Sequence, residues 1–237
     1  MKILALDTAT ENCSVALLID REVVARERLL ERGHAAQILP MIEEVLAEAG
    51  IALQSVDAIA FGRGPGGFTG VRLAASVTQG LAFGVGVPVV PVSTLRALAQ
   101  RLLAADACEH VVVCTDARME EVYWGCFERR DGLAALVGEE QLGAPEGVRL
   151  PPAWLGNDHP HTSGFGAGRG FTAYPQLAAA MRPLLRGIRE DLLPRAIEIA
   201  ALAVPEAVAG RIFPAEQALP IYLRNDVVRA GGGQSLK

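Results

Sequence analysis

Two short stretches carry side chains suited to catalysis or phosphate binding, each at the end of an apolar run. Asp7-Thr8-Ala9-Thr10 follows Ile3 and Leu6, and a carboxylate beside hydroxyls at a strand end can bridge a metal and contact phosphate. Gly62-Arg63-Gly64-Pro65-Gly66-Gly67 satisfies G-x-G-x-x-G between an expected strand and an expected helix, where free backbone amides can cradle an anion. The dinucleotide reading fails, because no acidic residue lies between Asp57 and Asp106 to hold a ribose about twenty positions on. No Gly-Lys-Ser/Thr follows, which removes the P-loop. Glycines that permit a tight turn and close helix packing explain the segment as well as phosphate binding does.

Other chemistries find less. Phosphoryl transfer needs a second glycine-rich turn, and its counterpart, Asp116-Ala117-Arg118-Met119, contains no glycine. No G-x-S-x-G elbow presents a nucleophile. The histidines, His34, His110, His159 and His161, form no metal-binding pair; the spacing of His159 and His161 in a Pro/Gly-rich stretch is coincidental, and His34 reads as a cap or interface residue. Cys13, Cys108, Cys114 and Cys126 make no C-x-x-C, and a chain of this length needs no disulfides, which fits a reducing cytoplasm.

The elements that must position these residues follow from periodicity. Alternation over residues 3–6, 13–19 and from Val23 onward predicts three strands, the last two joined at Asp20-Arg21. Apolar residues at Ile38, Leu39, Ile42, Val45 and Leu46 predict an amphipathic helix over 35–49, with Pro40 near its start and Gly50 as a stop. A strand at 56–61, a helix at 70–83, a strand at 87–92 and a helix at 93–105 come next. Residues 73–95 lack charge but hold Gly80, Gly84, Gly86, Pro88 and Pro91, so they read as buried helix, turn and strand rather than a membrane span. This is the order of a ribonuclease-H-like lobe. From His110 the pattern repeats: an apolar strand ends at Asp116 as the first ends at Asp7, residues 123–127 stand where 15–19 stood, and Arg130-Asp131-Gly132 supplies a hairpin turn. The expectation is an α/β chain of two such lobes, of the actin and sugar-kinase kind, with residues 1–105 as the N-terminal lobe and 106–237 as a smaller, divergent one whose last segment packs back on the first. Residues 138–173 read as a long irregular connection, 174–189 and 194–209 as helices, and the Gly-rich tail from Ala230 as mobile.

Composition narrows the function classes. The 237 residues are 51% hydrophobic and 21% charged, which demands a folded core and excludes disorder. With 22 basic and 27 acidic residues, the net charge of -5 provides no field for nucleic-acid binding by the chain alone.

With these residues assembled, the chain resembles the TsaB family, also called YeaZ, of bacterial tRNA threonylcarbamoyladenosine biosynthesis proteins. The likeness rests on residues 3–10, on Gly33-His34 and Leu39-Pro40-Met41-Ile42, and on the eleven-residue glycine segment from Gly62 to Arg72; it continues through 79–84, 92–95 and 116–124 and thins beyond about residue 130 to Tyr222-Leu223-Arg224. Ala9 and Gly67 stand where the family more often has Ser. The resemblance implies a fold of the actin-like ATPase (ASKHA) superfamily and a protein that works by partnership. The related TsaD subunit holds the metal and transfers threonylcarbamoyl to adenosine 37 of tRNAs reading codons that begin with A. Its two metal histidines fall here on Thr94 and Leu98, neither a substitute for imidazole.

The function implied by that resemblance is a cytoplasmic, non-catalytic subunit with no metal and no intrinsic cofactor. It would pair with a TsaD-like transferase, act alongside a TsaE-like ATPase, form a homodimer when alone, and meet tRNA only in the complex. Asp7, Thr8, Gly64 and Gly66 are the candidates for a weak or interface-bound ATP or ADP. His34, Ile38, Ile42, Arg72, Ala75 and Gln79, on the two helices that the family uses for a four-helix contact, are the expected partner surface, with Ala74, Ala75, Thr78 and Ala82 small enough to let another helix approach. Two readings from other classes stand beside it: an ATP-dependent small-molecule kinase, favoured by tight MgATP binding, and a metallopeptidase of the M22 type, favoured by stoichiometric zinc.

Overall fold

The computed structural model describes residues 1–105, 108–155 and 164–223. Strands β1 (Lys2–Asp7), β2 (Asn12–Ile19) and β3 (Glu22–Leu29) form an antiparallel meander. Helix α1 (His34–Glu48), strand β4 (Ala58–Gly62), helix α2 (Phe68–Val85), strand β5 (Val89–Val92) and helix α3 (Thr94–Ala105) come after it. β4 and β5 add in parallel, giving the order β3-β2-β1-β4-β5. β1 sits centrally, so its residues from Ile3 to Asp7 are all buried, and the run is apolar rather than alternating.

The second half repeats that plan. β6 (His110–Arg118), β7 (Glu121–Arg130) and β8 (Leu133–Gly143) form the meander; β9 (Phe165–Ala167), α4 (Gly170–Ala173), α5 (Pro175–Met181), β10 (Gly187–Arg189) and α6 (Ala196–Val208) complete it. The order β8-β7-β6-β9-β10 is the same as in the first sheet, with β9 parallel to β6 and β10 parallel to β9. The two ribonuclease-H-like halves read from the sequence are thus present as two five-stranded sheets of one topology.

The last helix of each half packs against the sheet of the other. Leu95, Leu98, Leu102 and Leu103 of α3 bury against Val111, Val113, Phe127 and Ala167, while Ala196, Ile199, Ala200 and Ala203 of α6 bury against Ile3, Ala5, Ala58, Ala60 and Val90. α1 and α2 cover the opposite face of the first sheet, closing over Leu4, Leu6, Val15, Leu17, Ile59 and Phe61. Beyond α6 the chain returns: Phe213 bridges Val89, the turn Ala215–Gln217 lies on α2, and the Ile221 amide donates to the Arg63 carbonyl at 2.8 Å.

Two local expectations are corrected. Residues 138–173 are not wholly irregular: β8 runs on to Gly143, 3-10 turns form at Pro145–Gly147 and Pro152–Trp154, and β9 and α4 lie at the end of the segment. The helix expected over 174–189 stops at Met181, because Pro183 cannot continue it, and Gly187–Arg189 instead becomes the edge strand β10. The tail from Ala230 lies outside the described residues.

Candidate functional site

β1 delivers Asp7 to the end of the first sheet, fully buried. Its Oδ1 accepts the Ala9 amide at 3.2 Å, and its Oδ2 has no hydrogen-bond partner among the described residues. Burial pushes the carboxyl up to about 7 despite the Ala9 and Thr8 amides that favour its charged form. Burial, with the nearby Asp7 charge, also drives the Cys13 thiol up to about 11, so that thiol is inert.

The glycine segment meets this loop backbone to backbone. Thr8 Oγ1 donates to the Gly70 carbonyl at 2.6 Å, and the Gly67 amide donates to the Ala9 carbonyl at 2.7 Å. A Cβ on Gly66 would stand 2.6 Å from the Ala9 carbonyl oxygen, and one on Gly70 would overlap the Thr8 carbonyl outright. The hydroxyl and the amide that a phosphate would need are therefore bonded to each other's loops, and the residues present do not fit a nucleotide phosphate at Asp7 and Thr8. Gly64, at φ +95°, turns the chain so that its carbonyl accepts the Thr94 amide at 3.1 Å. Close packing, rather than anion binding, accounts for these glycines.

The counterpart turn in the second half is equally occupied. Asp116 Oδ1 accepts the Arg118 amide at 2.8 Å and the Tyr174 hydroxyl at 3.1 Å, and Oδ2 pairs with Arg118 Nη1 at 3.0 Å. Desolvation and the Asp116 carboxylate hold the Tyr174 phenol above its ordinary value. Arg118, Met119 and Glu120 are all left-handed, at φ 62°, 56° and 61°, without a glycine among them.

Thr94 and Leu98 are buried, Thr94 bonding the Pro65 carbonyl and Leu98 packing in the α3 core. Among the described residues no group of three or more His, Cys, Asp or Glu is placed to hold a metal ion. His159 and His161 lie outside the described residues. His110 stacks on Trp154, and His34 Nε2 meets the Thr10 carbonyl at 2.9 Å, tying the start of α1 to the β1–β2 loop. No helix of the described residues is long and apolar enough to cross a membrane.

The two helices expected to meet a partner are present; of the six residues expected on that surface, His34, Arg72 and Gln79 are partly exposed, whereas the other three face inward. Ile38, Ile42 and Ala75 are buried, as are Ala74, Thr78 and Ala82, all packed toward the first sheet with Met41 and Val45. The small residues serve close packing of α2 on its own sheet. Solvent instead meets Ala36, Leu39, Pro40, Glu43 and Ala47 on α1, and Thr69, Ser76, Gly80, Phe83 and Gly84 on α2, with Leu39 46% and Phe83 74% exposed. Gln79 reaches the Glu216 carbonyl at 3.4 Å, and the Arg72 guanidinium sits over Phe68 at 3.2 Å and Tyr222 at 4.9 Å, so both hold the returning chain. The sequence reading set the last segment against the first lobe without naming these contacts, and it missed Glu140, whose buried carboxylate accepts from Ser93 and pairs with Arg63 at 3.6 Å, linking the halves. No motif marks Glu140; only the fold brings those residues together.

A family model described as TsaD, tRNA N6-adenosine threonylcarbamoyltransferase, matches residues 25–232. The tRNA threonylcarbamoyladenosine biosynthesis protein TsaB of Haemophilus influenzae is 41% identical over 236 residues, covering 96% of this chain and 95% of that one. TsaB of Escherichia coli is 41% identical over 229 residues, covering 96% of each. Among solved structures, YeaZ from Pseudomonas aeruginosa is 44% identical with a TM-score of 0.85, covering 94% of this chain and 99% of its own.

Proposed function

Since the chain belongs to the TsaB family, within the wider group that the TsaD model describes, and takes part in tRNA threonylcarbamoyladenosine biosynthesis, we propose that it does so as a non-catalytic subunit whose work is to bind and support a TsaD-like transferase. The observation that carries this reading is the closure of the glycine segment onto Thr8 and Ala9, which uses the groups that phosphate would need. Asp116, locked to Arg118 and Tyr174, supports it from the other half. The contact is made by the outer faces of α1 and α2, through Leu39, Ser76, Gly80 and Phe83. In the absence of the transferase the same faces join two copies of the chain. A TsaE-like ATPase acts on the assembly, tRNA is met only there, and the site of action is the cytoplasm.

Reconstitution tests this. Threonylcarbamoyl transfer by the TsaD-like subunit should require the chain, and Asp7→Asn or Thr8→Ala should keep activity within about twofold, a barrier change of less than about 0.5 kcal/mol. A fall of a hundredfold in kcat with either variant, both folded, would make this loop catalytic and overturn the reading.

A further inference from the structure

The two halves also meet over a separate cleft of about 310 Å³. Asn12, Glu27 and Leu29 of the first meander form one side; Arg101 of α3, with Arg169, Asp191 and Leu193 beside β9 and β10, forms the other. The volume lies at the small end of ligand pockets, so it suits a metabolite of a few heavy atoms rather than a nucleotide.

Asn12 is 2% exposed. Its Nδ2 donates to Glu27 Oε2 at 3.1 Å and to the Pro194 carbonyl at 3.0 Å, two acceptors that fix the amide orientation. Oδ1 is buried, with no donor among the described residues, and the amide serves to hold the Glu27 carboxylate in place beside the cleft. The charged lining is balanced: two guanidiniums, Arg101 and Arg169, face two carboxylates, Glu27 and Asp191. Arg101 Nη1 already donates to the Leu193 carbonyl at 2.8 Å, Arg169 pairs with Glu11, and Arg195 lies 3.7 Å from Glu27. An anion such as phosphate would be repelled by Glu27 and Asp191, and a polyamine by Arg101 and Arg169. A ligand carrying one charge of each sign avoids both penalties. Leu29 and Leu193 offer it an apolar wall.

We propose that this cleft binds a free α-amino acid as its zwitterion, carboxylate toward Arg101 and Arg169, ammonium toward Glu27 and Asp191, and a small side chain against Leu29 and Leu193. The inference rests on the cleft alone and is independent of the transferase contact.

Calorimetric titration of the full chain with L-valine, L-threonine and L-leucine tests it, with isobutylamine and 3-methylbutanoate as forms of valine lacking the carboxylate and the amine. At least one amino acid should bind in the millimolar range or tighter, and loss of either charge should weaken binding at least about tenfold. Arg169→Ala and Asp191→Asn, both at exposed positions, should each weaken binding about fivefold or more with circular dichroism unchanged. Absence of heat with all three amino acids at about 10 mM, or binding indifferent to both substitutions or to the missing carboxylate, would overturn the proposal.

Discussion

The two glycine connections that leave the strands beside the central one, β4 and β9, show what the halves share and where they part. After β4, residues 63–70 bring Gly66 and Gly70 onto the backbone of Ala9 and Thr8; after β9, Gly168 and Gly170 lie on the carbonyl of Cys114 in β6, where a Cβ on Gly170 would stand 2.8 Å from that oxygen. Backbone packed on backbone is thus a device of both halves. The helices beyond differ. The first connection feeds α2, a long helix with an uncovered outer face; the second feeds the short α4 and α5, whose Phe171, Leu177 and Met181 close with Val148, Leu150 and Trp154 into a core of their own. One half leaves a helical surface uncovered, and the other seals itself.

The largest effect should come from breaking the shared device. Gly70→Ala has no room, because its Cβ overlaps the Thr8 carbonyl, and shifting α2 against the loop should cost about 3 kcal/mol or more in urea unfolding. Gly170→Ala should cost about 2 kcal/mol, since its clash with Cys114 is milder. Gly80→Ala, with nothing within 4 Å of its Cβ, should instead add about 0.5–1 kcal/mol. A loss below about 1 kcal/mol for Gly70→Ala would mean that the close approach is absent.

The next effect distinguishes the halves through pH. Folded Asp7 keeps its proton up to about pH 7, whereas unfolded it ionises near the ordinary 3.8. Between those values the folded state binds more protons, so stability falls as pH rises, by about 1.4 kcal/mol per pH unit and about 4 kcal/mol over the window, levelling off above it. Asp7→Asn should remove that fall and be more stable than the native chain by about 2–4 kcal/mol near pH 8, with little difference near pH 4. Parallel stability–pH curves for the two proteins would show that the carboxyl is not desolvated.

The meander, α1, α2 and the second hairpin were legible because their signals are local: alternation, periodicity, and the Asp131-Gly132 turn at φ 52° and 79°. The orientation of α2 was not. Val71, Ala74, Ala75, Thr78 and Ala82 face in while Ser76, Gly80, Phe83 and Gly84 face out, and two faces so alike in size and polarity give periodicity little to choose between. The end of the helix over 174–189 needed weight on Pro183 over the apolar spacing around it. The Asn12 cleft was invisible because residues from five separated stretches of the chain build it.

A smaller effect belongs to the turn between β6 and β7. Three left-handed residues without glycine store strain there, while no residue from Thr8 to Glu11 in the corresponding first turn has a positive φ. Met119→Gly should therefore stabilise by about 0.5–1 kcal/mol, the relief of strain exceeding the entropy that glycine adds to the unfolded chain. The corresponding Thr8→Gly should destabilise, because it also deletes the bond to Gly70. A loss of stability for Met119→Gly would show that its side chain holds the turn.

The smallest effect on the fold should accompany the clearest effect on assembly. Gly80 lies on the outer face of α2 between Ser76 and Gly84, one helical turn from each, with open space around its Cβ. Gly80→Arg should leave stability unchanged or raise it by up to about 1 kcal/mol, since arginine favours helix over glycine. In an interface of small residues the same side chain blocks close approach and must be desolvated without a partner, so self-association and transferase binding should weaken about thirtyfold or more, about 2 kcal/mol. Ala75→Arg is a poorer probe, because Ala75 is 3% exposed and packs in the core, where a charge would unfold the lobe before it tested any contact. Gly147→Arg supplies the matching control: its Cβ is equally free, but it lies in the self-sealed half, so association should be unaffected. Sedimentation velocity and co-purification with the TsaD-like transferase read both variants. If Gly80→Arg assembles normally while Gly147→Arg does not, the partner surface belongs to the second half, and the covered face of the molecule is the one taken here to be closed.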